Sequence, residues 1–537
     1  MTDARADVVI MGGGLAGLTL ALQLRQRLRD LDILVLERQR HPVPKATHKV
    51  GESCVEIGAH YFDTVLGLKS HLTEHQIKKF GFRFFFSEGR LDIDQVLELG
   101  ASRHLSTPSY QLDRGIFENF LACEARRNGV RFADGAVIRN FELNSGTADH
   151  QVSYSHQQTQ HTVHTPWLID ASGRAGLIKR RLGLAQQNGH EATAVWFRVG
   201  HRIDINNWSA DPEWINRCTP PERWRSTNHL VGPGYWVWLI PLSSGSHSVG
   251  IVADARMHPT ESLNSFEKSI VWLRRHQPRL AQELEGQQTC VQDFAWLRRY
   301  SYGCERVFSA DRWAMTGEAG VFLDPFYSPG SDFIAIGNTY ITDLIARERK
   351  GGAIQARADI YQRLYQSFYD SMLSIYRDQY PIFGSPGVLP VKVLWDYTYY
   401  WGVLCQIFFQ HKLTDMAALS ELRELLTSTQ RLNYAMQILL RNWSALGGGE
   451  NPKAMLDQAE LGWFAELNRG LTDTLDGEGF RRRIRSTTTQ LHALAGEILD
   501  VACSQQPALD GSEVRGLLAG EGVGSCSRLL FDSQTVH

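Results

Sequence analysis

Cysteine is scarce in this 537-residue chain: eight residues, widely scattered, with no C-x-x-C pair. Such spacing excludes a disulfide scaffold and a zinc ribbon, and it points to a reducing compartment. A surplus of positive charge is also missing. Lys and Arg number 56 against 58 Asp and Glu, a formal charge of −2, which argues against a general nucleic-acid or anionic-membrane binder. No apolar run reaches the roughly 18 residues that a membrane span needs, and neither repeats nor low-complexity tracts occur. The opening residues, MTDARADVVIMGGG, lack the layout of a secretory signal. The expectation is a cytoplasmic globular protein with no nucleic-acid partner and no membrane span. Its 43% hydrophobic content suffices for a sizeable core.

What is present begins at residue 7. Asp7-Val8-Val9-Ile10-Met11 is a short apolar run that predicts a buried parallel strand. It leads into Gly12-Gly13-Gly14-Leu15-Ala16-Gly17, which fits G-x-G-x-x-G, and helical apolar spacing follows over Leu18 to Leu28. A second strand, Ile33-Leu34-Val35-Leu36, ends in Glu37, 20 residues after Gly17. Each part has a physical task. Gly12 permits the tight turn, Gly14 lets a pyrophosphate approach the backbone, and Gly17 lets helix pack on strand. The helix start, with Ala16 in its first turn, offers N–H groups and a positive dipole end to phosphate. Glu37 would accept from ribose hydroxyls. Strand, helix and acid in register predict dinucleotide binding.

Further segments narrow the dinucleotide. Trp167-Leu168-Ile169-Asp170 is an apolar strand running into D-x-S-G-R with Arg174. Ala314 to Gly320 contains Gly317-Glu318 and precedes Phe322-Leu323-Asp324-Pro325. Tyr110 to Arg114 precedes a helix-like Gly115–Arg126. In this order the segments resemble the flavin monooxygenase fold of the para-hydroxybenzoate hydroxylase type. The resemblance implies an α/β fold: a Rossmann-type FAD-binding domain with an interleaved antiparallel substrate sheet. It implies that the Gly317 loop, with Glu318 where the family usually has Asp, binds the ribityl chain, that Asp170 lies at the cofactor, and that Arg114 reaches the flavin.

Two more places resemble flavin-dependent halogenases. Tyr235-Trp236-Val237-Trp238-Leu239-Ile240-Pro241 matches W-x-W-x-I-P and precedes a strand-like Ser246–Val252. Trp236, Trp238 and Ile240 alternate, so an amphipathic strand alone would also produce the pattern. In the family these tryptophans are thought to wall off flavin from the substrate tunnel. Ile77-Lys78-Lys79-Phe80-Gly81-Phe82-Arg83-Phe84 fits K-x-G-x-x-F of the phenol and pyrrole branches, with Lys79 at the active spacing and Lys78 as the fallback. A solvated basic turn is the competing reading. The resemblance, covering about residues 5–350, implies halogenation through a C4a-hydroperoxide and hypohalous acid, with the lysine delivering chlorine or bromine to an electron-rich ring. A desolvated lysine would have the depressed pKa that suits such a role.

Gly51-Glu52-Ser53 resembles the family's G-E-S segment near the flavin, which makes Ser53 a cofactor contact. Asp324-Pro325-Phe326-Tyr327-Ser328-Pro329-Gly330 resembles D-P-x-x-S-x-G beside the isoalloxazine. Ser328, Pro329, Gly330 and Ser331 would then form the halide pocket through backbone N–H groups around Gly330, with Asp324 and Gly330 also at the cofactor. Asp332 follows where many relatives are apolar, and an anion there would repel chloride unless its side chain turns away. IKKFGF, DPFYSPG and Leu394-Trp395-Asp396 look most like the branch holding the pyrrolnitrin-pathway pyrrole halogenase.

Some motifs read as decoys. His71-Leu72-Thr73-Glu74-His75 spells H-x-x-E-H, a zinc-protease pattern, but beside Lys79 it reads as a polar helix turn, so no metal is expected. Cys54 reads as a buried thiol, and Arg481-Arg482-Arg483-Ile484-Arg485 as a solvated helix face with acidic-carrier docking as the alternative.

The expected division is a core over 1–350, with the substrate sheet at about 70–130 and 190–300, and a helical region over 351–537 covering the substrate side. Within the latter, Ile354–Arg377, Val393–Gln410, Pro452–Glu466 and Thr487–Val501 predict helices, with a breaker loop at Pro381–Pro390. Trp395, Tyr399 and Trp401 read as core, and Cys503–His537 as a loose end or lid. The functional expectation is an FADH2-dependent halogenase of secondary metabolism and antibiotic biosynthesis. It would act on a small aromatic substrate, free or acyl-carrier-tethered, and use chloride or bromide. No second G-x-G-x-x-G is evident, so a separate flavin reductase is the expected partner. A hydroxylase or dehydrogenase of the same fold, or a non-catalytic flavin-binding subunit, are the alternatives.

Overall fold

The computed structural model describes residues 3–45, 51–285, 290–519 and 529–531. The chain folds into two compact units, each assembled from three segments.

The first unit comprises Met1–Gln76, Leu112–Gly189 and Ser301–Tyr369. Its centre is a five-stranded parallel sheet in the order Trp313–Met315, Trp167–Asp170, Val8–Met11, Ile33–Glu37, Arg131–Asp134. The runs VVIM and WLID are buried at every position, as strands covered on both faces require. Helices Arg114–Arg127 and Gly330–Arg349 both pack on Leu15–Arg27. A second sheet joins Asp3–Arg5, Thr159–Thr165, His150–His156 and Val137–Glu142.

The second unit comprises Ile77–Gln111, His190–Tyr300 and Asp370–His537. Eight strands run in the order Val291–Arg298, Ala192–Val199, His247–Asp254, Tyr235–Pro241, Thr227–Gly232, Phe82–Phe85, Glu98–Gly100, Met455–Asp457. Tyr235, Val237, Leu239, Val249 and Ile251 point from one face into a core closed by Ile270, Leu273, Leu280 and Leu284 of the helices Phe266–His276 and Pro278–Glu285. The opposite face carries the tryptophans described below. The C-terminal part of this unit holds the helices Leu389–Tyr399, Arg423–Leu446 and Gly477–Gln505.

Several expectations change. The sheet is mixed: Thr227–Gly232 pairs in parallel with Phe82–Phe85, and Glu98–Gly100 with Met455–Asp457. The predicted helix Pro452–Glu466 is instead this edge strand followed by a helix over Gly462–Arg469; the partner strand, not the local sequence, decides Met455–Asp457. The division does not fall at 350. The sheet groups with the C-terminal helices, and 112–130 belongs with the nucleotide sheet because Arg114–Arg127 packs on Leu15–Arg27. Val393–Gln410 is helical and buried, but Tyr400–Cys405 within it is a π-helical stretch. Trp395, Tyr399 and Trp401 are buried. Of Cys503–His537, the described part includes the helix Ser512–Leu518, while 520–528 and 532–537 lie outside the described residues. Among the described residues, no helix is long and apolar enough to cross a membrane.

Candidate active site

In the first unit the glycine loop leaves the central strand at Met11. Gly12 has φ +120°, and a Cβ there would run into the Ala171 carbonyl oxygen. A Cβ at Gly17 would meet the Gly12 carbonyl, so helix and strand touch only because both residues lack one. Gly14 is different: a Cβ would find nothing nearer than Glu118 Oε1 at 4.0 Å. The loop is therefore closed at Gly12 and Gly17 and open at Gly14, the one place where a pyrophosphate must approach. The helix Leu15–Arg27 begins there with no side-chain cap and no acid in its first turn, which leaves its N–H groups and positive end to an anion. Glu37 is held in place, its Oε2 accepting from Gly13 N at 2.7 Å and its Oε1 from Gln39 N at 2.7 Å. The motif reading missed Gly13, whose absent side chain makes room for Glu37 and Phe132. This shape fits the adenosine diphosphate part of FAD.

Gly317, at φ +61°, brings a late loop onto the first one; a Cβ there would stand 3.0 Å from the Ala16 Cβ. Glu318 forms an ion pair with Arg174 at 3.7 Å, and its carbonyl accepts from the Tyr302 hydroxyl at 2.8 Å. Gly51 and Arg114 come together, Arg114 Nη1 donating to the Gly51 carbonyl at 3.4 Å. Ser53 is buried beside them. The rest of the Arg114 guanidinium is engaged by Glu118 at 2.6 Å, one helical turn away.

Two carboxylates assigned to the cofactor serve the backbone. Asp170 accepts from Ser172 N at 2.9 Å and Ile178 N at 2.7 Å, and burial pushes its carboxyl pKa up against those bonds. Asp324 accepts from Phe326 N at 2.9 Å and so caps the turn Pro325–Tyr327. Both hold the loops in shape, as short acidic side chains at turn starts do.

Ser328 adopts a left-handed φ of 55°, and with Pro329 it leads into Gly330, the first residue of a 20-residue helix. The amides of Gly330 and Ser331 have no acceptor within that helix. Space beside Gly330 is open: a Cβ would meet nothing within 4 Å. Asp332 turns away from this start, its Oδ1 accepting from Gly58 N at 2.9 Å in a fully buried contact.

In the second unit Lys79 is 3% exposed, whereas Lys78 is exposed. Lys79 N donates to the Ser109 carbonyl at 2.9 Å, and its Nζ lies 3.4 Å from the centre of the Phe82 ring, within cation–π range. Phe84, His229, Trp238, Gly250 and Trp196 form one row across the sheet. A Cβ at Gly250 would collide with the Trp238 indole, so this glycine lets the ring lie flat on the strand. Trp238 Nε1 donates to Ser248 Oγ at 3.1 Å, and Trp236 Nε1 to Tyr380 OH at 3.2 Å. His229 joins the two motifs: its ring lies 5.3 Å from Phe82, 4.7 Å from Phe84 and 5.2 Å from Trp236. Phe82 is in turn 6.1 Å from Tyr397, whose ring lies tilted against Trp401 at 4.6 Å. The lysine and both tryptophans thus belong to one aromatic layer on one sheet face. Neither His229 nor Tyr380 carries a motif that the sequence reading could have used.

The H-x-x-E-H segment lies on the helix Lys69–His75, but the His71 ring stacks on Phe120 at 3.8 Å. Burial and then the neighbouring His75 lower its pKa to about 4. Among the described residues no group of three or more His, Cys, Asp or Glu could hold a metal. Cys54 is buried. Arg481 pairs with Glu478 and Glu421, and Arg483 with Asp473, so much of the basic cluster is already neutralised.

Comparison with known proteins agrees with this geometry. The FAD binding domain model matches residues 5–299. The chain is 25% identical over 475 residues to the flavin-dependent halogenase chlA of Dictyostelium discoideum, covering 80% of this chain and 76% of that one. It is 25% identical over 331 residues to a 1H-pyrrole-2-carbonyl-[peptidyl-carrier protein] brominase of Pseudoalteromonas luteoviolacea, covering 61% and 74%. Halogenase PltM, solved in complex with phloroglucinol and FAD, superposes with a TM-score of 0.63 at 17% identity, covering 92% of this chain and 96% of that one. The flavin-dependent brominase Bmp2 superposes with a TM-score of 0.54 at 20% identity, covering 70% and 87%. With more than half of its length under the family model, and with a glycine loop closed everywhere except where a pyrophosphate must enter, the chain belongs to the FAD binding domain family.

Proposed function

We propose that this protein is a flavin-dependent halogenase that places chlorine or bromine on an electron-rich aromatic or heteroaromatic ring of the phenol or pyrrole type, free or carrier-tethered. The observation that carries this reading is Lys79: a buried lysine, 3.4 Å above an aromatic ring, in the same layer as Trp236 and Trp238. Named halogenases among the relatives support it.

When bound and reduced, FAD supplies the electrons with which dioxygen oxidises halide to hypohalous acid. Gly12, Gly14, Ala16 and Gly17 hold the pyrophosphate against the helix start, and Glu37 accepts from the ribose. Gly317, Glu318, Ser53 and Arg114 line the remainder of the cofactor site. The amides of Gly330 and Ser331, with Ser328 and Pro329 shaping the turn, bind the halide, while the Asp332 carboxylate is turned to Gly58 N. The Lys79 ammonium donates to the oxygen of hypohalous acid, so the halogen faces the ring as an electrophile. The ring gains halogen, loses a proton, and water leaves. Trp236, Trp238 and Phe82 exclude bulk water and hold the substrate flat. A separate reductase supplies the reduced flavin.

The deciding experiment incubates purified protein with FAD, an added flavin reductase with NADH, bromide, and phenol or pyrrole. Brominated product by mass spectrometry supports the reading. Hydroxylated product alone, repeatedly, makes the protein a hydroxylase of this fold instead.

A further inference from the structure

Lys179 carries a charge that the chemistry above does not use. It lies in the short helix Leu177–Leu182 and is 7% exposed. Its Nζ donates to the Gly320 carbonyl at 2.9 Å and lies 3.9 Å from the centre of the Tyr302 ring. Tyr302 donates its hydroxyl to the Glu318 carbonyl at 2.8 Å. Two carbonyls of the Gly317–Gly320 loop are therefore held from behind by a lysine and a tyrosine in mutual contact. Gly176, at φ +50°, permits this: a Cβ there would stand 3.0 Å from Lys179 Cε. The loop so held is the one that approaches Ala16 through Gly317.

We propose that Lys179 is a positioning residue for FAD, fixing the Gly317–Gly320 loop from behind so that FAD affinity follows the charge on its side chain. This rests on the reading of that loop as a flavin contact. An ammonium donates to a carbonyl more strongly than a neutral amine does, and only the ammonium attracts the Tyr302 ring. Burial lowers the Lys179 pKa to about 8, against the opposing pull of Cys304, Asp170 and Glu318, with Arg174 adding to the lowering. FAD brings a negative pyrophosphate, which favours the protonated lysine. By linkage, affinity then falls as pH rises through that range.

A lysine that merely stabilised the fold would behave differently. A buried, desolvated charge is costly, so Lys179→Met leaves the melting temperature of the FAD-free protein essentially in place. The test measures FAD dissociation constants by fluorescence quenching from about pH 7 to about pH 9.5, with melting of the FAD-free protein alongside. Wild type is expected to lose affinity across this range. Lys179→Met should bind FAD at least about tenfold more weakly at pH 7, without that pH dependence. Lys179→Arg should keep binding independent of pH while recovering part of the affinity. Unchanged affinity in Lys179→Met, or the wild-type pH profile in it, overturns the proposal. So does a melting temperature that falls in step with affinity. If Lys179→Met does not fold, the wild-type profile decides alone: flat affinity overturns. Gly317→Val crowds Ala16 and should itself weaken FAD binding; wild-type affinity there removes the loop from the flavin site whatever Lys179 does.

Discussion

Lys78 and Lys79 have the same side chain and opposite surroundings. Strand pairing of Ile77–Lys78 with Tyr110–Gln111 turns Lys78 outward, whereas Lys79, just past the strand, is buried. Lys79→Ala should cut halogenated product by about 10²- to 10⁴-fold, the scale of a lost proton-donating group. Oxygen uptake by reduced flavin should continue unchanged, and comparing uptake with product by mass spectrometry checks both. Lost FAD binding in this variant would make the lysine structural. The resemblance preferred Lys79 to Lys78 through its K-x-G-x-x-F spacing, and Lys79 is the buried one of the two. Acids are read less directly. Asp170, Asp324 and Asp332 each accept from a backbone N–H, and for Asp332 this is the turned-away side chain that the sequence left as one of two outcomes. Spacing reveals that an acid is present but not which way it faces, since direction is set by a turn whose φ and ψ the neighbours decide.

At the scale of elements, the W-x-W strand depends on its neighbour. Gly250 lies directly opposite Trp238, and Gly250→Val must push the indole off the strand. Overpacking of this kind should destabilise by about 1–3 kcal/mol, read as a lower urea midpoint, with halogenation lost at a dose of urea that leaves the fold intact. The alternation of Trp236 and Trp238 was plain in the sequence; the need for glycine across from them was not, because the partner strand is 12 residues on and its register is fixed by packing. The other end of the sheet rests on Glu98, fully buried and paired with both Arg83 and Arg223. Burial opposes the Glu98 charge, but the two guanidinium groups hold its pKa below the usual carboxylate range. Glu98→Gln leaves two buried cations facing a neutral amide. A loss of about 3–5 kcal/mol in unfolding free energy is expected. Met455–Asp457 attaches to this same strand, and no local period announces a three-residue element whose reason for being extended is its partner.

For the whole molecule, buried histidines set the acid limit. Burial, then His201 and Arg202, lower the His247 pKa to about 3 from an ordinary 6.5. The unfolded chain therefore binds a proton that the folded one refuses between these values, so this contribution is present above about pH 6.5 and is lost as pH falls toward 3. His247 alone should cost roughly 3 kcal/mol at pH 4 relative to pH 7. His247→Asn, which can still accept from Ile203 N, should flatten the decline of melting temperature over that range. The broad fold was legible because the nucleotide motif and the strand patterns are local. The interleaved sheet segments were legible at about 70–130 and 190–300, against 77–111 and 190–300 in the structure; their grouping with the C-terminal helices was not, because contacts and not chain order define a unit. That interleaving reaches into biosynthesis. Ser102 donates to Asp457 across 355 residues, so the outer edge of Glu98–Gly100 stays unpaired while all of that chain is translated. An open strand edge is a template for aggregation, and slow, long-range closure prolongs the exposure. Yield in a foreign host should therefore be governed by translation speed and chaperone supply, more than by how stable the finished molecule is.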